Sequence, residues 1–430
     1  MNSPNPALAP AGQKPTRARH WVVVFAVTLA ILAYIDRVCI SQAAPIISRD
    51  LDLSKSQMGL VFSAFALAYA IFEIPGGWLG DWMGPRRVLM RIVMWWSIFT
   101  AATGGVWSFT SLWVTRFFFG AGEAGCFPNL TKAFTTWLPQ NERVKAQGIM
   151  WMFARWGGAF TPPLVILTFQ YVSWRWAFVM FGGLGVIWAT FFYSWFRDNP
   201  RDQPSVNAAE LALMEGSENL ASGHGDVPWG KMVRSRSVWL LWAQYFCISY
   251  PWYFYITWLP TYLQEYRHLT PLESSKYAIL PLFFGGFGNL LCGFTSGHLA
   301  RWTGSVKISR RITGTLGFFG AAMCLLLSMH LSSPLWGMIA MGFASFFNDL
   351  VMPGAWGSCM DIGGKYAGTL SGSMNMMGNL AGFVAPAMGG YILQRTGGDW
   401  NLFLYTMVGM YLLGTLCWPF IDPVKPIDRD

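Results

Sequence analysis

Seven ionisable residues interrupt runs of the sequence that are otherwise almost entirely apolar. Two of them are adjacent in the stretch YIDRVCI, and the full set is Asp36, Arg37, Glu73, Arg116, Glu123, Arg155 and Asp349. An ionisable side chain at the centre of a membrane span costs at least about 2.5 to 3.5 kcal/mol, so such residues mark substrate or ion pathways. An arginine stays charged and can grip an acid group with two hydrogen bonds, whereas a carboxyl group can take up and release a proton. These residue types predict an anion site beside a proton path.

Helix geometry places these residues at two depths. At about 1.5 Å per residue, Asp36 lies roughly 22 Å from the edge of a core about 30 Å thick at which its run begins, and Arg116 lies roughly 9 Å from the opposite edge. The two levels coincide, which predicts an outer cluster of Asp36, Arg37 and Arg116. Glu123 follows Arg116 by two helical turns, so it faces the same way about 10 Å deeper. The predicted inner cluster consists of Glu123, Arg155, Glu73 and Asp349.

The elements that must position these residues are membrane-spanning helices. Of the 430 residues, 53% are hydrophobic and only 12% are charged, against about 25% charged in soluble proteins. The fold class we predict is an all-α membrane protein with twelve transmembrane helices in two pseudo-symmetric six-helix bundles. The predicted spans are residues 21–44, 58–79, 88–107, 110–131, 146–168, 174–196, 238–262, 276–300, 310–331, 333–356, 367–393 and 400–421.

Charge and loop length give the domain organisation. Lys and Arg residues concentrate in the loops on the side that holds the N-terminus, so the positive-inside rule places both termini in the cytoplasm. The longest polar segment divides the spans six and six. The predicted parts are a tail 1–20, an N-terminal bundle 21–197, a cytoplasmic linker 198–237, a C-terminal bundle 238–421 and a tail 422–430.

The net charge of +9 is a topology signal and does not indicate a nucleic-acid partner, because the basic residues lie in short loops that form no groove. The five histidines form no cluster, and no phosphate-binding, zinc-binding or serine-nucleophile motif is present. We therefore predict no cofactor and neither an enzyme nor an ATP-driven pump. The expected partners are the bilayer, a small organic anion and protons, and we expect a monomer.

The loop after the second span, GGWLGDWMGPRRVL, resembles a signature loop of the major facilitator superfamily. The matching residues are Gly77, Asp81, Gly84, Arg86 and Arg87. Glycines permit close helix approach, and an Asp at a helix end can pair with cations. The resemblance implies that this loop is a conformational latch. Trp82 and Pro85 depart from the family pattern, as does Arg301 in the second copy of the loop, which predicts a weaker or rearranged latch.

Further stretches resemble one branch of that superfamily, the anion:cation symporters, which include galactonate, glucarate and hexuronate carriers. They are YIDR, MGLVFSAFALAYAIFEIPGGWLGD, TRFFFGAGEAGCFPN, YFYITWLPTYL and LSGSMNMMGNLAG, and they extend over most of both halves. The resemblance implies that Arg37 and Arg116 hold the substrate anion and that Asp36 and Glu123 take the coupling protons. It also implies that four further residues line a sugar-acid site, namely Tyr34, Tyr69, Trp356 and Asn375.

Two charged residues stand where carriers of this branch usually have uncharged ones, Glu73 and Arg155. They either neutralise each other, or Glu73 joins the proton path and Arg155 adds a third cation that favours a dicarboxylate or a sulfonated acid. Asp36, Arg37 and Arg116 could also form a purely structural ion-pair cluster, as could Glu123 with Arg116. Asp349, near the inner end of its predicted span, could be a solvated or capping residue.

The function we expect is proton-coupled import of a small organic anion by alternating access, the anion being an aldonate, uronate or aldarate. Short loops and the resemblance favour a bacterial inner membrane. Three alternatives remain: an exchanger or exporter of organic acids, a receptor that binds without transport, and drug efflux. Arginines in the cavity argue against the last, because they repel lipophilic cations.

Overall fold

The chain folds almost entirely into long helices joined by short loops. The computed structural model describes residues 14–53, 55–214 and 227–427, so parts of both predicted tails and of the predicted linker, residues 1–13, 215–226 and 428–430, lie outside the described residues. The helices are α1 Arg19–Asp50, α2 Lys55–Met83, α3 Pro85–Thr103, α4 Phe109–Glu123, α5 Cys126–Trp137, α6 Gln140–Tyr171, α7 Trp174–Trp195, α8 Ala208–Leu213, α9 Trp229–Arg234, α10 Arg236–Thr257, α11 Leu259–Glu265, α12 Pro271–Thr303, α13 Val306–His330, α14 Pro334–Gly363, α15 Ala367–Thr396 and α16 Trp400–Cys417. No strand occurs among the described residues.

Every predicted span corresponds to a helix or to a broken pair of helices. The fourth span is broken between α4 and α5, where Gly125 adopts a left-handed backbone with φ +83° that glycine tolerates without a steric penalty. The seventh span is broken between α10 and α11 at Trp258. Six segments of the described chain are long and apolar enough to cross a membrane by length and composition alone. Two of these segments, Arg19–Ile40 and Pro334–Ala385, also carry polar residues that line the centre of the molecule.

The short loops reverse the chain at each end of the molecule. We call the end at which α1 begins and α16 ends the terminal face, and the other end the opposite face. At the terminal face, α2 passes into α3 through Gly84, whose φ of +85° again requires glycine. Both ends of the described chain, and the described parts of the segment 196–235, therefore lie at one end of the molecule.

The two six-helix halves pack on each other through two helix pairs. In one pair α2 packs on α15, and in the other α6 packs on α12, with α14 beside it. Span 2 of the first half corresponds to span 8 of the second, and span 5 corresponds to span 11. The pair α2 and α15 (spans 2 and 11) and the pair α6 and α12 (spans 5 and 8) are therefore related by the predicted two-fold pseudo-symmetry. Small residues permit the approach: a Cβ added at Gly148 of α6 would meet the Asn289 carbonyl of α12.

Two helices extend well past the predicted spans, and one extension changes the interpretation of a site residue. The sixth helix, α6, begins six residues before the predicted span, and α14 continues seven residues beyond residue 356. Polar and small residues near a helix end do not break the helix when the surrounding protein buries them. Asp349 consequently lies halfway along α14 and not near its end.

Candidate functional site

A polar cavity lies between the two halves at mid-membrane depth. The space within it that no atom fills is about 550 Å³, which includes solvent open to the outside. The lining residues from the N-terminal half are Tyr34, Arg37, Tyr69, Phe127, Trp151 and Arg155. Those from the C-terminal half are Tyr245, Ile248, Ser249, Trp252, Tyr253, Asn348, Met352, Asn375, Gly378 and Asn379. Five of the seven residues predicted to bind substrate thus line one cavity: Tyr34, Tyr69, Arg37, Arg155 and Asn375.

Arg37 is the cavity arginine of α1, and a buried glutamate holds it. Its Nε donates to Oε1 of Glu123 at 2.7 Å, and Glu123 is fully buried as the last residue of α4. Four aromatic rings surround the Arg37 guanidinium at 4.7 to 5.6 Å from their centroids, those of Tyr69, Phe65, Tyr34 and Phe127. Its Nη2 is buried without a hydrogen-bond partner among the described residues. The guanidinium is therefore fixed in place and still has donors to offer.

Asp36 and Arg116 lie behind Arg37, inside the N-terminal half. Both are 2% exposed, and neither is among the residues that line the cavity. Arg116 packs on the faces of Phe119 and Phe65, at 4.2 and 5.5 Å, and its Nε has no hydrogen-bond partner among the described residues. The charged groups that act on Asp36 are Glu123 and Arg116. The predicted outer cluster is therefore divided, since Arg37 turns toward Glu123 and away from Asp36.

Arg155 forms the second ion pair of the cavity, and it joins the two halves of the protein. Its Nε and Nη2 donate to the two carboxylate oxygens of Asp349 at 2.8 and 3.0 Å, from α6 across to α14. The indole of Trp252 lies 3.4 Å from the guanidinium carbon. Asp349 is fully buried. Its alternative interpretation as a solvated or capping residue is wrong, because α14 extends far enough to bring it to mid-membrane depth.

Glu73 is bound by Asn375 and not by Arg155, the residue of opposite charge that could have neutralised it. Its Oε1 accepts a hydrogen bond from Asn375 of α15 at 2.9 Å, and its Oε2 is buried without a partner among the described residues. The predicted neutralisation of Glu73 by Arg155 is wrong, since Arg155 is bound by Asp349. The predicted inner cluster accordingly separates into three contacts, Arg37 with Glu123, Arg155 with Asp349, and Glu73 with Asn375.

Aromatic side chains close the cavity on the side of the terminal face. Trp356, fully buried, donates from Nε1 to the hydroxyl of Tyr245 at 3.0 Å. Its ring lies 5.4 Å from that of Trp151, which stacks on Phe127 at 4.6 Å. Trp356 therefore supports the floor of the cavity and is not itself one of the lining residues.

Below this floor, Asp81 of the predicted latch joins the halves. Its carboxylate accepts from the backbone N–H groups of Gly368 and Thr369 at 3.0 and 2.6 Å and from the Thr369 hydroxyl at 2.6 Å. Lys132 of α5 lies 3.4 Å from the same carboxylate. An acid at the first turn of α15 is favoured by the helix dipole and by otherwise unpaired N–H groups. Lys132 carried no signal in the sequence that distinguished it from a loop lysine.

The remaining latch residues divide between the interface and the N-terminal half. A Cβ at Gly77 would meet the Gly368 carbonyl, so glycine is needed for α2 to approach α15. Arg86 does not cross to the other half: its side chain donates to the Tyr193 carbonyl, at 2.7 Å from Nη2. Arg87 is exposed. Gly84 provides the turn already described.

A second charged contact at the terminal face was not predicted. Asp361, at the end of α14, accepts from Arg143 of α6 at 2.7 Å and from Arg310 of α13. Both arginines lie at or just before the start of a predicted span, where basic residues indicated the cytoplasmic side, but they are nearly fully buried. Arg301 is exposed and donates to His298 at 2.8 Å. The C-terminal half thus has its interface acid on α14, while a weaker or rearranged latch at Arg301 stays a prediction.

Among the residues that the structure describes, no three of His, Cys, Asp and Glu lie together in a way that could hold a metal ion.

Comparison with known proteins finds matches that cover most of the chain. The family model that matches is that of the Major Facilitator Superfamily, over residues 26–386. The chain is 36% identical over 420 residues to the probable sulfoacetate transporter SauU of Cupriavidus necator, covering 96% of each chain. It is 31% identical over 420 residues to the probable galactarate/D-glucarate transporter GudP of Escherichia coli, covering 93% of this chain and 92% of the relative.

A solved structure shares the fold. The human organic anion transporter MFSD10 (TETRAN) matches with a TM-score of 0.68 at 16% identity, over 94% of this chain and 100% of that one. At this identity the likeness concerns the arrangement of helices and not the chemistry of the cavity.

Proposed function

The chain belongs to the major facilitator superfamily, and we propose that it takes up a small organic anion, a sugar acid, together with protons. Membership confirms the predicted family, the predicted fold and the expectation of a transporter that is not an enzyme. It also makes the chain a multi-pass membrane protein. That the anion is an aldonate, uronate or aldarate and that protons drive its uptake are the proposal.

The proposal rests on the position and the free donor of the Arg37 guanidinium. A fixed guanidinium lines a cavity of about 550 Å³, and its Nη2 has no partner among the described residues. A planar guanidinium is suited to a carboxylate or sulfonate. Asn375 and Asn379 and the hydroxyls of Tyr34 and Tyr69 supply groups for sugar hydroxyls. In this proposal Arg116 lies behind Arg37 and outside the cavity lining. Its positive charge makes the site more favourable for an anion.

Proton coupling follows from competition for the Arg37 guanidinium. Among the described residues, Arg37 is the cation that forms an ion pair with Glu123 within 4 Å. When a substrate anion binds Arg37, Glu123 loses part of this contact and is favoured in its protonated form. The cavity and its surroundings hold three arginines and four carboxyl groups, namely Arg37, Arg116 and Arg155 with Asp36, Glu73, Glu123 and Asp349. When all seven residues are ionised, the four carboxylates exceed the three arginines by one negative charge. One bound proton makes the set neutral. Glu123, Asp36 and Glu73 are the carboxyl groups that we assign to the proton path.

Alternating access would proceed by rocking of the halves about the cavity. The structure is closed at the terminal face, where Asp81 binds the start of α15 and where Asp361 joins α6, α13 and α14. We assign the terminal face to the cytoplasm of a bacterial inner membrane, on the positive-inside rule. Breaking these contacts would open the cavity to the cytoplasm and release the anion.

A short sulfonated acid is the second candidate substrate. The observation in its favour is the match to SauU, a probable sulfoacetate transporter, at 36% identity over nearly the whole of both chains. A sulfonate offers the same negatively charged oxygens to a guanidinium, so the mechanism above is unchanged.

A thermal-shift screen of the purified protein tests the proposal. The ligands are aldonates, uronates, aldarates and sulfoacetate, with Arg37→Gln beside the wild type. A ligand at 100 times its dissociation constant stabilises the protein by about 2.7 kcal/mol, so we expect a clear shift in the wild type and none in Arg37→Gln. A shift by lipophilic cations and by no anion would replace the proposal with drug efflux.

A further inference from the structure

We infer that Arg155 binds a second acid group of the substrate. The substrate is then a small dianion whose two acid groups bind two arginines of one cavity. The inference rests on the proposed function, because it takes Arg37 as the site of the first acid group. It concerns the pair of Arg155 with Asp349, whose arrangement repeats that of Arg37 with Glu123.

The two arginines share the features that an anion site requires. Each lines the cavity, and each is oriented by a carboxylate that is itself fully buried, at 2.7 Å for Arg37 and at 2.8 and 3.0 Å for Arg155. Asp349 engages Nε and Nη2 of Arg155, which leaves Nη1 with the Tyr34 hydroxyl at 3.4 Å. That distance is at the outer limit of a hydrogen bond, so a charged acid group would displace it readily.

Tyr34 connects the two acid positions. Its ring centroid lies 5.6 Å from the guanidinium carbon of Arg37, and its hydroxyl lies 3.4 Å from Nη1 of Arg155. Tyr34 is therefore close to both guanidiniums, and both line the same cavity. A compact dianion such as an aldarate or a sulfocarboxylic acid can reach both, whereas an aldonate or uronate has an acid group for only one.

The surroundings of Arg155 favour ligand binding over packing alone. Its partner Asp349 accepts a further hydrogen bond from Asn348 at 3.1 Å, and the amide oxygen of Asn348 is buried without a partner among the described residues. Asn348 itself lines the cavity. The C-terminal half thus supplies an acceptor for a substrate hydroxyl directly beside the second acid position.

Matched pairs of ligands test the inference on the full-length protein. The dissociation constants of galactarate and galactonate are measured by titration calorimetry, together with those of sulfoacetate and acetate. The members of each pair differ in carrying two acid groups or one. We expect the wild type to bind one of the dianions at least tenfold more tightly than its monoanion.

Two variants then assign the preference to Arg155. In Arg155→Gln/Asp349→Asn both charges are removed, so no buried charge is left alone, and the ratio of the two dissociation constants should fall to near one. Arg155→Lys retains a charge opposite Asp349 but loses the planar fork, and it should lower the ratio even if the double variant folds poorly. Arg236→Gln, which removes an exposed arginine at the terminal face, is the matched control and should retain the wild-type ratio.

The outcomes separate this inference from the proposed function. A wild type that binds monoanion and dianion equally would overturn the second acid position and leave the anion site at Arg37 intact. A preference that survives both Arg155 variants would make the pair with Asp349 structural. If no member of either pair binds, the second acid position fails together with the proposed function.

Discussion

At the scale of single residues, the contact between Arg37 and Glu123 is where the proposed mechanism joins anion binding to proton binding. The carboxylate is fully buried, one oxygen is bound to Arg37 at 2.7 Å, and Oε2 has no partner among the described residues. Burial makes an unpartnered carboxylate costly, so any loss of the Arg37 contact favours a proton on Glu123. The proposed coupling of substrate and proton therefore depends on this one contact.

Glu123→Gln should remove the pH dependence of substrate binding. In the wild type, protonation of Glu123 frees Arg37, so the affinity for the anion should be higher at pH 5.5 than at pH 8. Gln imitates the protonated acid at every pH, and the affinity of the variant should be flat. The measurement is the dissociation constant by calorimetry across that range. The same slope in both proteins would remove Glu123 from the coupling.

Arg37→Lys should weaken binding of the anion by at least about tenfold, which corresponds to about 1.4 kcal/mol. Lysine retains the charge opposite Glu123 but loses the planar fork. Arg236→Lys, at an exposed position of the terminal face, is the control for a change of arginine to lysine. Unchanged affinity in Arg37→Lys would show that a point charge is sufficient and that the fork does not bind the acid group.

Residue types could be predicted from the sequence, but their partners could not. The sequence alone singled out Arg37, Glu123 and Arg155, because a charged residue within an apolar run can be recognised without knowledge of the fold. Asp349 lies 194 positions from Arg155, and nothing local in the sequence connects them. Helical direction also decides partners: Asp36 and Arg37 are adjacent and therefore face about 100° apart, which is why only one of them reaches the cavity.

At the scale of helices, the approach of α2 to α15 determines whether the terminal face is closed. Gly77 allows the two backbones to meet, and Asp81 then reaches the first N–H groups of α15. The sequence identified both residues through a loop pattern. It could not show that the cations of that loop stay within the N-terminal half, since the partner of Arg86 is the Tyr193 carbonyl of α7.

Gly77→Val should open the terminal face. The added side chain would collide with the Gly368 carbonyl, and the backbone N–H groups at the start of α15 should lose protection. Hydrogen exchange of residues 367–373 measures this loss. Gly297→Val is the control, because a Cβ at that position of α12 would meet nothing within 4 Å. Equal protection of this segment in wild type and Gly77→Val would contradict the assignment of Gly77 to the latch.

The breaks within spans were harder to predict than the spans. Apolar length located all twelve, but the fourth is divided directly after Glu123, at Gly125. A Cβ at Gly125 would meet the backbone of Gly76, so this glycine serves a close approach between α2 and the broken span. A glycine in an apolar run has the same appearance in sequence whether it breaks the helix or packs within it.

At the scale of the whole molecule, the segment between the halves is tied to the start of α1. Glu210 of α8 accepts from the backbone N–H of Ala18 at 2.9 Å and from Arg19 Nη1 at 3.0 Å, and Arg19 also pairs with Glu142 of α6 at 2.9 Å. Burial raises the pKa of Glu210, but the hydrogen bonds from Thr16, Arg19 and Ala18 outweigh it and lower the pKa overall. The polar segment is therefore anchored to the N-terminal bundle.

Glu210→Gln should destabilise the protein at neutral pH and not at low pH. A carboxyl group with a lowered folded-state pKa stabilises the fold above its ordinary pKa of 4.5, and this stabilisation is lost as the pH falls through the folded-state value. The unfolding temperature of the wild type should thus exceed that of the variant at pH 7, and the difference should shrink toward pH 4 and below. A difference that is independent of pH would contradict an ionised Glu210.

Across the molecule, two charged pairs in one cavity and two closing contacts at one face are what the proposed carrier needs to bind an anion on one side and release it on the other. The measurement that tests this most directly is uptake of radiolabelled galactarate or sulfoacetate into proteoliposomes under an inwardly directed proton gradient. We predict accumulation above equilibrium that is lost with a protonophore and in Arg37→Lys. Uptake that ignores the protonophore and requires a counter-anion inside the vesicles would contradict proton symport and establish an exchanger.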